Sequence, residues 1–209
     1  MFTEIKQGIA FTVVTMALFG GAYHLLVWGV GRTMFASRSE GSLVRLDDGT
    51  IAGSRLVAQA FVTLEYFHPR PSAVDYDAAS TGGSNFGPSN VDHLDAVRAR
   101  IDAIAAEERV DPSGIPSEMV TASGAGLDPD IPPAAAEIQA ARIASARGVA
   151  VDRVRELVHA RTEPPSFGFL GRARVNVLDL NLALDRAFGV PPAARGRRAA
   201  QKRRAIREP

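Results

Sequence analysis

The chain has 209 residues, with 24 Lys or Arg against 23 Asp or Glu, and it contains no cysteine. The absence of cysteine excludes disulfides, thiolate metal ligands and a cysteine nucleophile. The 17 residues after Pro192 hold seven Lys or Arg and one Glu, which leaves 17 basic and 22 acidic residues in the rest of the chain. The body is therefore mildly acidic and the C-terminal tail strongly basic, and we expect no nucleic-acid partner for such a body.

An apolar run without any charged residue extends from Ile9 to Val30. As a helix it would be about 33 Å long, enough to cross a hydrocarbon core of about 30 Å. We therefore interpret residues 9–31 as a single transmembrane helix, preceded by a short segment, residues 1–8. A cleaved signal peptide is the alternative, but the run is longer than an ordinary signal sequence and no A-x-A-like cleavage site follows it.

Polar and small residues inside this run predict how it sits in a membrane. Thr12 and Thr15 can bond back to carbonyls one turn earlier. Aromatic rings with a polar edge fall in the last two turns, and we expect them to lie at the membrane–water boundary: Tyr23, His24 and Trp28. Three glycines form a smooth patch that would let another helix approach closely: Gly20, Gly21 and Gly29. An anchor that packs against nothing is the alternative.

The residues after the anchor, 32–188, show the patterns of a mixed α/β (α+β) soluble domain. Asp48-Gly49 lies between two short apolar runs and predicts a β-hairpin over Ser42–Gly53. The prolines of the stretch from Tyr66 to Ala73 exclude a regular helix there.

The remaining predicted elements follow in chain order, and the basic tail, residues 189–209, is expected to be disordered. We predict a helix over 91–108 capped by Ser89 or Asn90, a strand over 118–123, a helix over 134–147 capped by Asp130 and stopped by Gly148, a helix over 152–161, a tight turn over 167–171, a strand over 175–178, and a helix over 179–188.

A loop rich in glycine and small polar residues is a candidate binding loop: Ser80, Gly82, Gly83, Ser84 and Asn85. Successive backbone N–H groups in such a loop can bind an anion or a nucleotide phosphate. The Lys-Ser or Lys-Thr pair of a P-loop does not follow the glycines, so a purely structural loop is the stronger interpretation. We expect no firmly bound cofactor and no metal site, and we interpret the acidic residues Asp128, Asp130 and Glu137 as helix caps.

No sequence pattern in the chain predicts catalysis. The four histidines are isolated, and neither G-x-S-x-G nor H-E-x-x-H occurs. A membrane-anchored hydrolase with Ser123 or Ser84 as the nucleophile lacks a base. A membrane-anchored regulator that binds a nucleotide through the loops at 80–85 and 123–126 is the main alternative function.

Five blocks in order behind the single span resemble one family, the C subunit of the Kdp-type potassium-transporting P-type ATPase. They are G-S-R-L-V-A-Q-A-F (53–61), Y-F-H-P-R-P-S-A (66–73), S-T-G-G-S-N-F-G-P-S-N (80–90), V-T-A-S-G-A-G-L-D-P-D-I-P-P-A-A-A (120–136) and V-N-V-L-D-L-N-L-A-L-D (175–185). Five blocks in the same order are far more specific than any one of them.

The resemblance implies a non-catalytic accessory subunit of a high-affinity, ATP-driven potassium-uptake complex in the bacterial cytoplasmic membrane. Its implied partners are a channel-like potassium-binding subunit, an ATP-hydrolysing P-type subunit and a small single-span subunit. It implies assistance with assembly and stability, a raised ATP affinity of the hydrolysing subunit, and no firmly bound cofactor, with ATP reached through the complex. It also places the N-terminus inside and the domain outside. The charges flanking the span indicate the reverse, because Lys6 precedes the span whereas Arg32, Arg38 and Arg45 follow it.

Overall fold

The computed structural model describes residues 1–192 and 194. Most of the predicted basic tail, 189–209, lies outside the described residues. The chain divides into two compact units, Met1–Leu43 and Val44–Pro209.

The first unit is dominated by one long apolar helix, Phe2–Met34, which is long and apolar enough to cross a membrane. It consists of α1 (Phe2–Thr15), a π-helical stretch (Met16–Ala22) and α2 (Tyr23–Met34), and a short helix, α3 (Ala36–Ser39), follows it. The predicted span, 9–31, lies within this helix, and the preceding residues are helical from Phe2 onward. The single N-terminal helix ahead of a mixed helix-and-strand region confirms the predicted fold class.

The second unit begins with a hairpin, as the Asp-Gly signal predicts. Strands β1 (Leu43–Arg45) and β2 (Ile51–Ser54) pair in a two-stranded sheet. Gly49 has a φ of +80°, and the N–H of Thr50 donates to Asp48 Oδ1 at 3.0 Å. The left-handed backbone at Gly49 is the reason that glycine suits this position.

Helices of the second unit pack on a small antiparallel sheet with the order β3-β5-β4. The strands are β3 (Asp130–Ile131), β4 (Thr162–Glu163) and β5 (Arg174–Asn176); the helices are α4 (Val91–Glu108), α5 (Ser117–Val120), α6 (Pro133–Arg147), α7 (Val151–Arg161) and α8 (Val177–Phe188). The register pairs Val175 on the central strand with Ile131 on one side and Thr162 on the other.

The core lies between α6, α7, α8 and this sheet. Its fully buried members include Phe67, Ile131, Ile143, Val154, Val158, Val175, Leu180 and Leu184. Alanines on α6 are also fully buried, and their small side chains let α7 pack closely against it, as the Ala-rich sequence predicts. The apolar core is thus assembled largely from residues 131–184, with Phe67 contributed by the extended stretch.

Helix boundaries were predicted best where a cap is encoded locally. Helix α4 spans the predicted residues, and the side chain of Asn90 accepts the N–H of His93 at 3.2 Å. Helix α6 ends at Gly148 with a φ of +66°. The turn at 167–171 is also confirmed, since Ser166 and Leu170 pair across it.

Three local predictions were wrong. The strand predicted over 118–123 is the short helix α5, because Pro116 starts a turn in which the Thr121 hydroxyl donates to the Ser117 carbonyl. Asp130 does not cap α6: it lies in β3, and its carboxylate accepts a hydrogen bond from Asn176.

The third error is one of bounds: a strand forms where one was predicted over 175–178, but it spans Arg174–Asn176. Strand β5 ends at Asn176, whose side chain accepts the N–H of Asp179 at 3.2 Å and so caps α8. The predicted boundary missed this cap, although Asn is a preferred residue at the start of a helix.

Candidate functional site

The long apolar helix carries a local irregularity at the glycines of the predicted patch. Gly20 and Gly21 lie in the π-helical stretch Met16–Ala22, and the ring Nδ1 of His24 lies 2.7 Å from the carbonyl oxygen of Phe19, five residues earlier. Short π-helical stretches are rare and occur frequently at functional sites. A side chain added at Gly20, Gly21 or Gly29 would meet no atom within 4 Å. The glycines therefore leave an open surface on the helix.

Polar groups of this helix are satisfied largely within it. The hydroxyls of Thr12 and Thr15 donate to the carbonyls of Gly8 and Phe11 at 2.9 Å, which confirms the predicted back-bonding. The rings of Tyr23 and His24 meet edge to face at 5.8 Å, and the guanidinium of Arg32 lies 5.6 Å from the Trp28 ring. Tyr23, His24 and Trp28, the residues predicted to lie at the membrane–water boundary, are on α2, in the C-terminal half of the long helix.

In the second unit, two side-chain amides hold the extended stretch that contains Tyr66, Phe67 and His68. Asn181 on α8 accepts the N–H of Phe67 at 2.8 Å and donates to its carbonyl at 3.0 Å. Gln139 on α6 accepts the N–H of His68 at 2.7 Å and donates to its carbonyl at 3.2 Å. The two amides thus pair with the backbone of consecutive residues as a neighbouring strand would, and Phe67 is fixed in the core.

A buried arginine of α6, Arg142, also bonds to the backbone just before and within the same stretch. Arg142 donates to Glu108 Oε1 at 2.8 Å, and it also donates to the carbonyls of Leu64 and Tyr66 at 2.6 and 3.0 Å. The side chains of Arg142 and Glu108 are 6% and 2% exposed, so the charges are almost fully desolvated. Burial raises the pKa of Glu108, and the adjacent Arg142 opposes that rise.

His68 lies at the edge of this charged cluster. One ring nitrogen contacts the carbonyl of Thr63 at 3.1 Å, and the other lies 4.0 Å from Glu107. Burial, reinforced by the charge of Arg142, lowers the pKa of His68. The side chain therefore favours the neutral form in the folded chain.

A second buried ion pair fixes the C-terminal end of α8. Arg147 donates to Asp185 Oδ1 at 2.9 Å, and both side chains are nearly buried. The Tyr66 hydroxyl contacts both oxygens of Asp185, and the Arg147 guanidinium lies 4.9 Å from the Tyr66 ring. Sequence reasoning missed both ion pairs, since their members lie far apart in the chain.

The predicted glycine-rich loop packs against the second glycine-rich loop. The N–H of Gly82 donates to the Ala125 carbonyl at 3.1 Å, and a side chain at Gly83 would meet the Gly124 oxygen at 2.8 Å. Ser80, Ser84 and Asn85 are exposed, and Asn85 has a left-handed backbone. Close contact between two backbones explains the glycines, and anion or nucleotide binding by the exposed part of the loop stays a prediction.

A cavity of about 700 Å³ opens beside Tyr66 and the end of α8. Its walls combine apolar side chains with the carboxylates of Asp47, Asp48 and Asp185.

Within residues 1–192 and 194, no three His, Asp or Glu side chains lie together so that they could hold a metal ion. Asp130 lies on the edge strand β3, where its carboxylate accepts a hydrogen bond from Asn176 on β5. Burial raises the pKa of this carboxyl.

Comparisons with known proteins agree on one family. The profile of the family described as KdpC, K+-transporting ATPase, c chain, matches residues 5–186. A potassium-transporting ATPase KdpC subunit of Myxococcus xanthus is 45% identical over 199 residues, 94% of each chain. Proteins with the same name from Polaromonas naphthalenivorans and Rhodospirillum rubrum are 48% and 47% identical, over 85% and 90% of this chain and 91% and 98% of their own lengths. The long apolar helix from residue 5 onward, the clamped stretch at 66–73 and both glycine-rich loops fall within the matched residues. The chain therefore belongs to the KdpC family, the c chain of the K+-transporting ATPase.

Proposed function

We propose that this chain is a non-catalytic accessory subunit that assembles and stabilises an ATP-driven potassium-uptake complex. The observation that carries the proposal is the family match across residues 5–186, which includes the one helix in the described part of the chain able to cross a membrane. The partners are a channel-like potassium-binding subunit, an ATP-hydrolysing subunit and a small single-span subunit.

The open glycine surface supports docking of the long helix on a partner helix. Gly20 and Gly21 present backbone without side chains, and close backbone approach favours helix association in membranes. Gly29 is the third glycine of the predicted patch and lies on α2. In this proposal Tyr23, His24 and Trp28 set the depth of the helix at the membrane–water boundary.

The non-catalytic role is supported by the surroundings of Ser123, one of the two serines weighed as a nucleophile. Ser123 is only 3% exposed, and its hydroxyl accepts the N–H of Asp128 at 3.3 Å. A nucleophile has to reach its substrate, and this position favours a structural role. An effect on ATP affinity would then pass through the assembled complex, and it is measured as the KM for ATP with and without this chain.

Co-expression of a tagged chain with the other transporter subunits tests the proposal. Deletion of residues 2–31 should abolish co-purification, and Gly20→Leu should reduce it severalfold. Gly8→Leu is the matched control, because it makes the same change on the same helix outside the patch. If the soluble domain alone restored growth at micromolar potassium, the proposed docking through the helix would be wrong.

A further inference from the structure

The described chain ends in the wall of the cavity beside Tyr66. Val190 and Ala194 both line that cavity. Ala194 is only 6% exposed, and its N–H donates to the Pro191 carbonyl at 3.0 Å. The domain therefore holds the chain as far as residue 194, and residues 195–209 begin at a fixed point beside the cavity.

Another part of the same wall is acidic. Asp47 and Asp48, in the loop of the β1–β2 hairpin, line the cavity and are exposed. Asp185 also lines it but is paired with Arg147, and Arg186 is the one cation among the described residues of the wall. The hairpin side of the cavity therefore presents negative charge beside the point at which the chain leaves the domain.

The residues that follow this point are strongly basic. Residues 195–209 contain seven Lys or Arg and one Glu. Six of these cations form two clusters of three. The first cluster is Arg195, Arg197 and Arg198, and the second cluster is Lys202, Arg203 and Arg204. The first cluster begins directly after the buried Ala194, so it is the one placed closest to the acidic loop.

The first cluster is close enough to span the cavity. A volume of about 700 Å³ equals that of a sphere about 11 Å across, and residues 195–198 extend up to about 13 Å. Arginine binds carboxylates through two parallel hydrogen bonds, which makes it the better cation for such a contact. The first cluster therefore matches the acidic loop in both reach and chemistry.

The covalent tether favours the chain's own segment over other partners. A single exposed ion pair is weak, but a segment attached beside its binding surface has an effective concentration in the millimolar range. A second copy of the chain lacks this advantage. Anionic lipid attracts the same cations only where they meet a membrane surface, whereas Asp47 and Asp48 always lie within their reach.

From the position of Ala194, the acidic loop and the reach of the first cluster, we propose that residues 195–198 bind back across the mouth of the cavity. Their guanidinium groups pair with the carboxylates of Asp47 and Asp48, so the occupant of this surface is the C-terminal segment of the same chain. The contact is internal to the domain, and it holds whether or not the proposed function is correct.

Zero-length crosslinking tests the contact, because lysine is rare in this chain. Lys6 and Lys202 are its only lysines, and Arg197→Lys adds one to the first cluster without changing the charge. A carbodiimide joins a lysine amine to a carboxylate when the two groups touch. In the full-length variant in neutral detergent micelles, position 197 should couple to Asp47 or Asp48 about fivefold more than Lys202 does.

Four results of this experiment would overturn the proposal. They are an absence of coupling at position 197, equal coupling at Lys202, coupling only between chains in a mixture of isotopically labelled and unlabelled protein, and loss of the coupling in vesicles that contain phosphatidylglycerol. The third result would assign the surface to a second copy, and the fourth would assign the first cluster to lipid.

The reactivity of a thiol in the wall tests whether the segment covers the cavity. Thr63→Cys places the only thiol of the chain in that wall. Replacing the first cluster by glutamines should speed its reaction with a maleimide severalfold, at an unchanged unfolding temperature. Replacing the second cluster by glutamines is the matched control, because it removes the same charge and should leave the rate unchanged. Equal rates in the two variants would overturn the proposed cover.

Discussion

Arg142 shows how one residue supports a stretch of chain that has no regular secondary structure. Its guanidinium donates to Glu108, to Gln139 and to the carbonyls of Leu64 and Tyr66. Glu108 has one oxygen bonded to Arg142, while the other finds no hydrogen-bond partner among the described residues. A buried charge that loses its only partner is costly, so this pair is a sensitive point of the fold.

Arg142→Met should lower the free energy of unfolding by about 3–5 kcal/mol, because it leaves Glu108 charged and buried without a partner. Adding Glu108→Gln should recover part of that loss by removing the charge. The measurement is denaturant unfolding of the full chain in detergent micelles. Arg98→Ala, at an exposed pair on α4, should change stability by less than about 0.5 kcal/mol. A double variant less stable than Arg142→Met alone would contradict the explanation.

His68 makes stability depend on pH near neutrality. Its pKa is lowered in the folded chain, so below the ordinary value of about 6.5 the unfolded chain binds a proton that the folded chain resists. The free energy of unfolding should therefore fall as the pH drops from about 6.5 toward the folded pKa. Above about pH 6.5 the contribution of neutral His68 to stability is fully present. Thermal unfolding at about pH 7.5 and 5.5 measures this difference, which should shrink in His68→Gln. An equal difference in both proteins would show that another group is responsible.

At the scale of elements, the extended stretch at 66–68 is bonded as a β-strand would be, but its hydrogen-bond partners are side-chain amides in place of a neighbouring strand. Asn181 and Gln139 supply an acceptor and a donor to each of two consecutive residues. Both amides come from helices, so they connect α8 and α6 through the stretch between them. This arrangement lets a segment broken by Pro69 and Pro71 have a fixed path in the core.

Asn181→Leu should lower the free energy of unfolding by about 2–4 kcal/mol, because both polar backbone groups of Phe67 would be left buried and unpaired. Leu keeps the branched skeleton of Asn, so the substitution opens no cavity, and hydrogen exchange at Phe67 reports directly on the lost hydrogen bonds. Arg186→Ala is the control on the same helix, at an exposed position. Hydrogen exchange of the Phe67 amide should speed up in the variant, and unchanged protection would contradict the assigned bond.

The contact between the two glycine-rich loops predicts that two nearby glycines differ in how much stability is lost when each is replaced by alanine. A side chain at Gly126 would lie 2.5 Å from a methyl of Val74 and 2.9 Å from the Gly82 oxygen, at a φ of +70°, whereas one at Gly124 would meet nothing within 4 Å. Gly126→Ala should therefore cost about 2 kcal/mol or more, and Gly124→Ala less than about 1 kcal/mol. Urea unfolding of both variants compares them, and equal losses would mean that the contact is not tight.

For the whole molecule, the side of the membrane on which the domain lies can be predicted and tested. The flanking charges favour the cytoplasm, whereas the resemblance to the family implies the outside, and we propose the outside. Long domains translocate largely regardless of nearby charge, so the charges decide little. The cysteine-free sequence offers a direct test, because a single introduced cysteine is the only thiol in the chain.

Ser89→Cys, at an exposed position of the domain, should react with a membrane-impermeant maleimide added outside intact cells. Thr3→Cys, at the other end of the long helix, should react only after the membrane is permeabilised. The extent of labelling is read on the purified chain. The reverse pattern would place the domain in the cytoplasm and refute the proposed orientation.

The long apolar helix, the hairpin turn, α4 and the end of α6 followed from the sequence alone, because each depends on local composition or on interactions within a few residues. An uncharged apolar run, an Asp-Gly turn, the cap at Asn90 and the glycine at 148 act locally. The resemblance to the family also came from ordered blocks of sequence, without any knowledge of their contacts.

Only the tertiary structure showed which residues of those blocks are buried and which residues they contact. The buried pair of Arg142 and Glu108, the amide clamp of Asn181 on Phe67 and the contact of Gly83 with Gly124 join positions separated by long stretches of chain. A charged or polar side chain has the same sequence signature whether it faces water or is buried with a partner. Burial and pairing come from the fold as a whole, and for that reason the buried network and the cavity beside Tyr66 emerged only from the structure.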